Sequence, residues 1–305
     1  MFRYSNDLPR EMDQHVKLYY LGESPALETE KPYLLSAGLL KSVPQCNWRY
    51  EAGPEQVIKD ARGHEEEFNY VENGFAFRPW SPSPIDWENE TQIREKFLVE
   101  AQEFVRRELN FGDDSLKRCE VFDWRLRISS SAAQLTNLDK GHMAKIRPAQ
   151  AVHIDQSLAG AFDRLKLHYP NDDIQELTAK YRVQIINLWR PFRGTVQQWP
   201  LAVCDGRTVG LDSLDELEYV SEEFVRRSYL ARWSDSYRFH YLSNMTSDEV
   251  VVFKIFDSAF HVPQGSKTPG SHVLGCPHAA FELPSVTSAP PRESVEVRMF
   301  VVSEY

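Results

Sequence analysis

Cysteine is scarce in this 305-residue chain: four residues, at positions 46, 119, 204 and 276, with no Cys-x-x-Cys pair. A disulfide framework is thereby excluded, and reduced, mostly buried thiols in an intracellular, cytoplasmic protein are expected. Basic residues are also short. Thirty-five Lys and Arg face 45 Asp and Glu, a formal net charge of −10. Phosphate binding needs a basic surface, so no nucleic-acid partner is expected. Long apolar runs are missing as well. Nothing approaches the length that spans a bilayer, and Met-Phe-Arg-Tyr-Ser-Asn-Asp at the start does not read as a signal peptide, so no membrane association is expected. Nothing here fixes an oligomeric state.

What is present points to a large β-rich body. Hydrophobic residues make up 42% of the chain, enough for one elaborated domain. Eighteen prolines and 13 tyrosines, with short apolar runs between turns, favour strands over a helical bundle. Residues 1–90 read as an irregular segment, with a brief strand at Tyr33–Ser36 and an aromatic loop at Phe75–Trp80 that could pack as a lid. Residues 91–305 read as the main domain. A helix is expected after the cap Asn89, with Ile93, Phe97, Ala101, Phe104 and Val105 on one face. Another follows Ser157 and stops before Pro170. Strands are expected at Val121–Ile128, Tyr181–Trp189 (closed by Arg190-Pro191), Trp199–Val203, Tyr237–Leu242, Val250–Phe256, His278–Leu283 and Ser294–Val302.

Three side chains carry the chemistry. In Ala-Val-His153-Ile-Asp155, period-2 geometry points His153 and Asp155 the same way at the end of an apolar run. His278 lies in a second strand-like run, Pro-His-Ala-Ala-Phe. Two imidazoles and one carboxylate hold ferrous iron on one face and leave the other open. The ligand segments are 278 − 153, or 125, residues apart, a layout that a barrel or jelly roll can close at one mouth. His64-Glu65-Glu66 repeats the His-x-acid spacing, but inside a charge run that reads as a solvated surface. Cys276 is a packing residue, because thiolate suits softer metals.

Past His278 comes Arg292-Glu-Ser-Val-Glu-Val-Arg298. As a strand it places Arg292, Ser294, Glu296 and Arg298 on one face and Val295, Val297, Met299 and Val301 on the other. A guanidinium with a hydroxyl beside it suits the far carboxylate of a dicarboxylate cosubstrate. The bland alternative is a surface arginine paired with Glu293 or Glu296.

Taken in order, these runs resemble the fungal AsaB-like or CmcJ-like hydroxylase/desaturase family, which includes gibberellin desaturase. The likeness covers roughly residues 120–303. It rests on Val152–Ser157, Asn187-Leu-Trp-Arg-Pro191, Trp199-Pro-Leu-Ala202, Met245–Val250, Phe253–Ser258, Pro277–Phe281 and Pro291–Arg298. The resemblance implies a mainly β fold with flanking helices, a double-stranded β-helix (jelly roll, cupin-like). It implies Fe(II) on His153, Asp155 and His278. 2-Oxoglutarate would reach Arg292, with Ser294 and Arg298 assisting. Asn187 is read either as a hydrogen-bond partner of the cosubstrate or as support for the turn at Pro191. O2 would be spent on the cosubstrate and on a C–H bond of a small-molecule substrate, giving hydroxylation, desaturation or cyclisation. Lys254 is read either as a solvated strand lysine or as an inward charge partner of Asp257 or the cosubstrate. Two rivals stay open: a lyase or isomerase using the same triad without 2-oxoglutarate, and a barrel that binds a ligand without oxidising it.

Overall fold

The run with the clearest strand pattern lies inside Arg182–Arg193, near the middle of a six-stranded sheet. This is a computed structural model, which describes residues 12–36, 38–40, 42–109, 115–130, 141–261, 271–284, 286 and 288–305. The strand order is Phe75–Pro79, Glu249–Asp257, Arg182–Arg193, Glu293–Ser303, Leu116–Ile128 and Lys145–Ile146. Arg182–Arg193 was expected to close at Arg190-Pro191, yet it continues. Its pairing with Glu249–Asp257 stops at Trp189, so Pro191 pairs on one side only, opposite Ser294. A missing N–H costs little at such a half-free position.

Nine shorter strands form the second sheet, in the order Gln14–Val16, Gln56–Asp60, Phe239–Tyr241, Leu201–Cys204, His278–Ala280, His153–Ile154, Val225–Ala231, Leu214–Val220 and Tyr33–Leu35. Tyr19–Leu21 and Tyr50–Ala52 pair separately. The stretch before residue 90, expected to be irregular, therefore contributes strands to both large sheets. Phe75–Pro79, expected as a loop, is an edge strand on Glu249–Asp257. These strands hold three to five residues, too few for alternation to register as a pattern.

Apolar side chains fill three layers. Ile185, Phe253, Phe256, Phe300 and Val203 pack in a central core to which both sheets contribute. Val295, Val297, Met299, Ile186 and Leu188 turn the other way and are covered by Ile93, Phe97, Ala101, Phe104 and Val105. Those five belong to one helical stretch, Glu90–Gln92, Ile93–Phe97 and Leu98–Glu108, whose middle piece is a π-turn. Asn89 caps it by accepting from the Gln92 N–H. Val16, Tyr20, Ile58, Val152, Ala202 and Ala279 form the third layer, bringing the N-terminal strands onto the second sheet.

Helix Leu158–His168 is capped by Ser157, which accepts from the Gly160 N–H. A Cβ on Gly160 would meet the Arg227 carbonyl oxygen at 2.1 Å, so glycine lets this helix lie directly on strand Val225–Ala231. Helix Ile174–Lys180, which the sequence pattern did not suggest, is capped by Asp173. No helix among the described residues is long and apolar enough to cross a membrane.

Candidate metal centre

His153 and His278 lie directly opposite each other on adjacent antiparallel strands. Cross-strand partners share a face, and their rings sit 4.4 Å apart between centroids. Each ring is fixed through Nδ1: His153 donates to the Ala151 carbonyl (2.8 Å) and His278 to the Cys276 carbonyl (3.0 Å). That sets the tautomer and leaves both Nε2 atoms aimed at Asp155, at 3.5 and 3.7 Å from its carboxylate oxygens. Burial, with His153 beside it, pushes His278 down to about 4. It is neutral at physiological pH, the form in which imidazole binds a metal.

Asp155 closes the triad from the bend after His153. Its carboxylate accepts from Arg298 Nε (3.1 Å), Arg298 Nη2 (3.0 Å) and Asn187 Nδ2 (3.1 Å). Asn187 and Arg298 are themselves cross-strand partners, so one rung of the six-stranded sheet grips the acidic residue of the other. Burial alone would raise this carboxyl. The Arg298 guanidinium outweighs it and holds Asp155 well below the usual carboxylate range.

Arg298 and Asn187, expected beside a cosubstrate, thus spend their donors on Asp155. Arg298 also bonds Asp123 (2.8 Å) and Glu296 (2.6 Å), giving three carboxylates around one guanidinium. Arg292 is the reverse case. It is 3% exposed; among the described residues its guanidinium donates only to the Trp199 carbonyl (2.6 Å) and has no carboxylate ion pair. Burial and nearby Arg127 push it down to about 9, still a cation at neutral pH. Its Nε and the Ser294 hydroxyl are buried without partners. Trp199 holds its accepting carbonyl with φ 60, a left-handed conformation that costs a bulky residue on the order of 1–3 kcal/mol.

A narrow pocket joins these parts. His153, His278, Phe253, Trp189, Arg292 and Glu296 line it, together with Arg127, Ala149, Leu201 and Ala280. Glu296 is fully engaged by Arg127, at 2.7 and 2.9 Å, and by Arg298, which leaves Arg292 as the pocket's uncompensated cation. Arg127 was not singled out from the sequence. Its signal was its place on Leu116–Ile128, opposite Ser294, visible only once the strands are paired.

The remaining residues fall into place around the site. Lys254 is neither solvated nor near the cosubstrate end: fully buried, it binds Asp257 at 2.7 Å. Residues three apart on a regular strand face opposite ways, but a register shift between Lys254 and Phe256 brings these two together. Trp189 is buried under the Arg292 guanidinium, 5.3 Å from its ring centroid. The buried Cys276 thiol is pushed well above its usual range by burial and contacts the Asn73 carbonyl, as a packing residue would. His64 pairs with Glu67 on the surface, away from the triad.

The donor set fits a divalent metal. One ligand atom from each of His153, Asp155 and His278 lies within 4.8 Å of the others, the one such cluster among the described residues. Buried Arg292, with its orphan Nε and the orphan Ser294 hydroxyl, fits a dicarboxylate held between metal and guanidinium.

With this geometry in hand, the chain was compared with known proteins. The family model described as oxidoreductase/YMDC permease-like domain matches residues 18–302. Hydroxylase/desaturase CTB9 of Cercospora beticola is 30% identical over 81% of this chain and 76% of its own. The Fe(II)/2-oxoglutarate-dependent dioxygenase nvfI of Aspergillus novofumigatus is 29% identical over 84% of this chain and 86% of its own. A solved structure of the iron and alpha-ketoglutarate-dependent endoperoxidase NvfI matches with a TM-score of 0.76 at 24% identity, covering 97% of this chain and 100% of that one. At that identity the likeness concerns the fold.

Proposed function

The chain belongs to this oxidoreductase family, alongside fungal hydroxylase/desaturases, and from that premise we propose how its residues serve an Fe(II)- and 2-oxoglutarate-dependent oxygenase of secondary metabolism. His153, Asp155 and His278 hold the iron. Arg292, backed by Ser294, takes the far carboxylate of 2-oxoglutarate. We read the two large sheets as a double-stranded β-helix and the chain as one elaborated domain, because residues 14–79 supply strands to both sheets. A cytoplasmic setting suits ferrous iron and four free cysteines.

When bound, iron with 2-oxoglutarate and O2 supplies the oxidising power to break a C–H bond of a small molecule, with succinate and CO2 released. The protein's part is orientation. Backbone carbonyls lock both imidazoles by Nδ1, and Arg298 with Asn187 fixes the plane of the Asp155 carboxylate. Trp189 and Phe253 wall the pocket with apolar surface, and Arg292 sets which end of the dicarboxylate points away from the metal. Hydroxylation, desaturation and cyclisation all remain within this design.

One observation carries the reading: the two imidazoles of the triad and a buried arginine without a carboxylate partner among the described residues line the same pocket. A lyase or isomerase using the metal alone would have no use for that arginine. Adding Fe(II) and 2-oxoglutarate without oxygen should produce the weak visible band of the chelate. A metal-replete protein showing no band refutes the assignment.

A further inference from the structure

Beyond Arg298, on the side of Asp155 away from Arg292, lies a second group of cations. Arg298 bridges Asp155 and Asp123. Asp123 in turn meets Arg125 at 3.4 Å and His142 at 3.3 Å. Two more guanidiniums lie within the electrostatic reach of the same carboxylate, Arg164 on helix Leu158–His168 and Arg226 on strand Val225–Ala231. The close seat of Gly160 on the Arg227 backbone holds this helix and strand together.

Their sequence neighbours show what is unusual. Asp163 and Arg227 form an ion pair across the same helix–strand contact, and Arg227 also binds Glu218 at 3.0 Å. Arg164, the residue after Asp163, and Arg226, the residue before Arg227, have no carboxylate ion pair among the described residues. Each instead lies against a ring, Arg164 over Phe122 at 5.6 Å and Arg226 over Phe224 at 4.3 Å. Partial burial opposes both cations, and so do Arg125 and Arg298: Arg164 is lowered, and Arg226, which also feels Arg164, is pushed down to about 10. Among the described residues Asp123 is the acid acting on both, and it is already committed to Arg298. A half-buried pair of like charges flanked by aromatic planes, linked to a metal ligand through Asp123 and Arg298, is arranged for an anion that arrives with apolar surface.

We propose that Arg164 and Arg226 form the substrate-recognition site and that the substrate is an apolar small molecule bearing a carboxylate. Its charge lies between the two guanidiniums and its carbon skeleton extends toward the metal. This rests on the oxygenase reading above and names the substrate class for that site. It also separates two anion sites by role, Arg292 for the cosubstrate and Arg164 with Arg226 for the substrate.

The test uses the iron-loaded, oxygen-free protein with saturating 2-oxoglutarate, and equilibrium dialysis of 1-naphthoate against its methyl ester. Naphthoate should bind and the ester should bind at least about tenfold more weakly, the size expected for charge-assisted hydrogen bonds. Arg164→Gln and Arg226→Gln should each weaken naphthoate by about tenfold. Arg227→Gln, which removes an equal charge already paired, should leave it unchanged. Because like charges are being removed, Tm of the Arg164 and Arg226 variants should match or exceed that of the parent. Equal binding of acid and ester, no naphthoate binding, or an equal loss in Arg227→Gln overturns the proposal. The chelate band on the same samples reports separately on the metal assignment, since dialysis reads naphthoate whether or not the band forms.

Discussion

Arg292 and Arg298 are the same residue type, six positions apart along one chain segment and on one face of it, and both are almost wholly buried. Arg298 meets three carboxylates and Arg292 meets none. Their difference comes from the strands opposite. Arg298 is flanked in register by Asp123 and Asn187 and faces Asp155 across the core. Arg292 precedes the strand, where pairing is with the Ser129 backbone, and its guanidinium finds only a carbonyl. A buried guanidinium that is neutralised serves as a strut. One that is not is a binding site awaiting its anion.

The sharpest way to test that contrast begins at the triad both arginines flank. His153→Ala or Asp155→Ala should abolish iron retention and succinate release, while His64→Ala changes neither; comparable loss in all three would mean the ligands are misassigned. Next in size, Arg298→Met leaves three buried carboxylates without their shared cation. Denaturant unfolding should show a loss of about 3–5 kcal/mol, typical of breaking a buried pair, together with weaker iron binding. If Arg298→Met unfolds like the parent, the strut description fails.

Arg292→Ala should do the opposite. Stability stays or rises, because an uncompensated charge is removed, while the 2-oxoglutarate requirement climbs by about a hundredfold, as expected for a lost charge-assisted anchor. An unchanged requirement for 2-oxoglutarate would move the anchor elsewhere in the pocket. Smallest of all is Lys254→Met. Asp257 keeps Arg182, at 2.5 and 3.0 Å, so unfolding should cost only about 1–3 kcal/mol. The 2-oxoglutarate requirement should not move. A shift in it would mean that Lys254 reaches the cosubstrate.

Legibility followed strand length. The long strands of the six-stranded sheet were readable because nine to thirteen residues repeat a pattern often enough to be seen. Alternation correctly put Arg292, Ser294, Glu296 and Arg298 on the face opposite Val295, Val297 and Met299. The second sheet holds two of the three metal ligands on strands of two and three residues, and there only the residue types gave the site away. Lys254 was ambiguous because the register shift that aims it at Asp257 has no local signature. Arg127, Arg164 and Arg226 carry no mark in their own stretches of sequence, since nothing local records whether an acid lies across the fold.

The sequence by itself determined the chemical inventory: two imidazoles and a carboxylate in apolar frames, and a strand with cations on one side and valines on the other. Side-chain period and ligand preference are local properties, and a single chain segment displays them. Only the tertiary structure decided that His278 would sit opposite His153, 125 positions away, and which arginines would find partners. Register between distant strands, and the balance of charge in a buried space, are set by neighbours that share no stretch of chain.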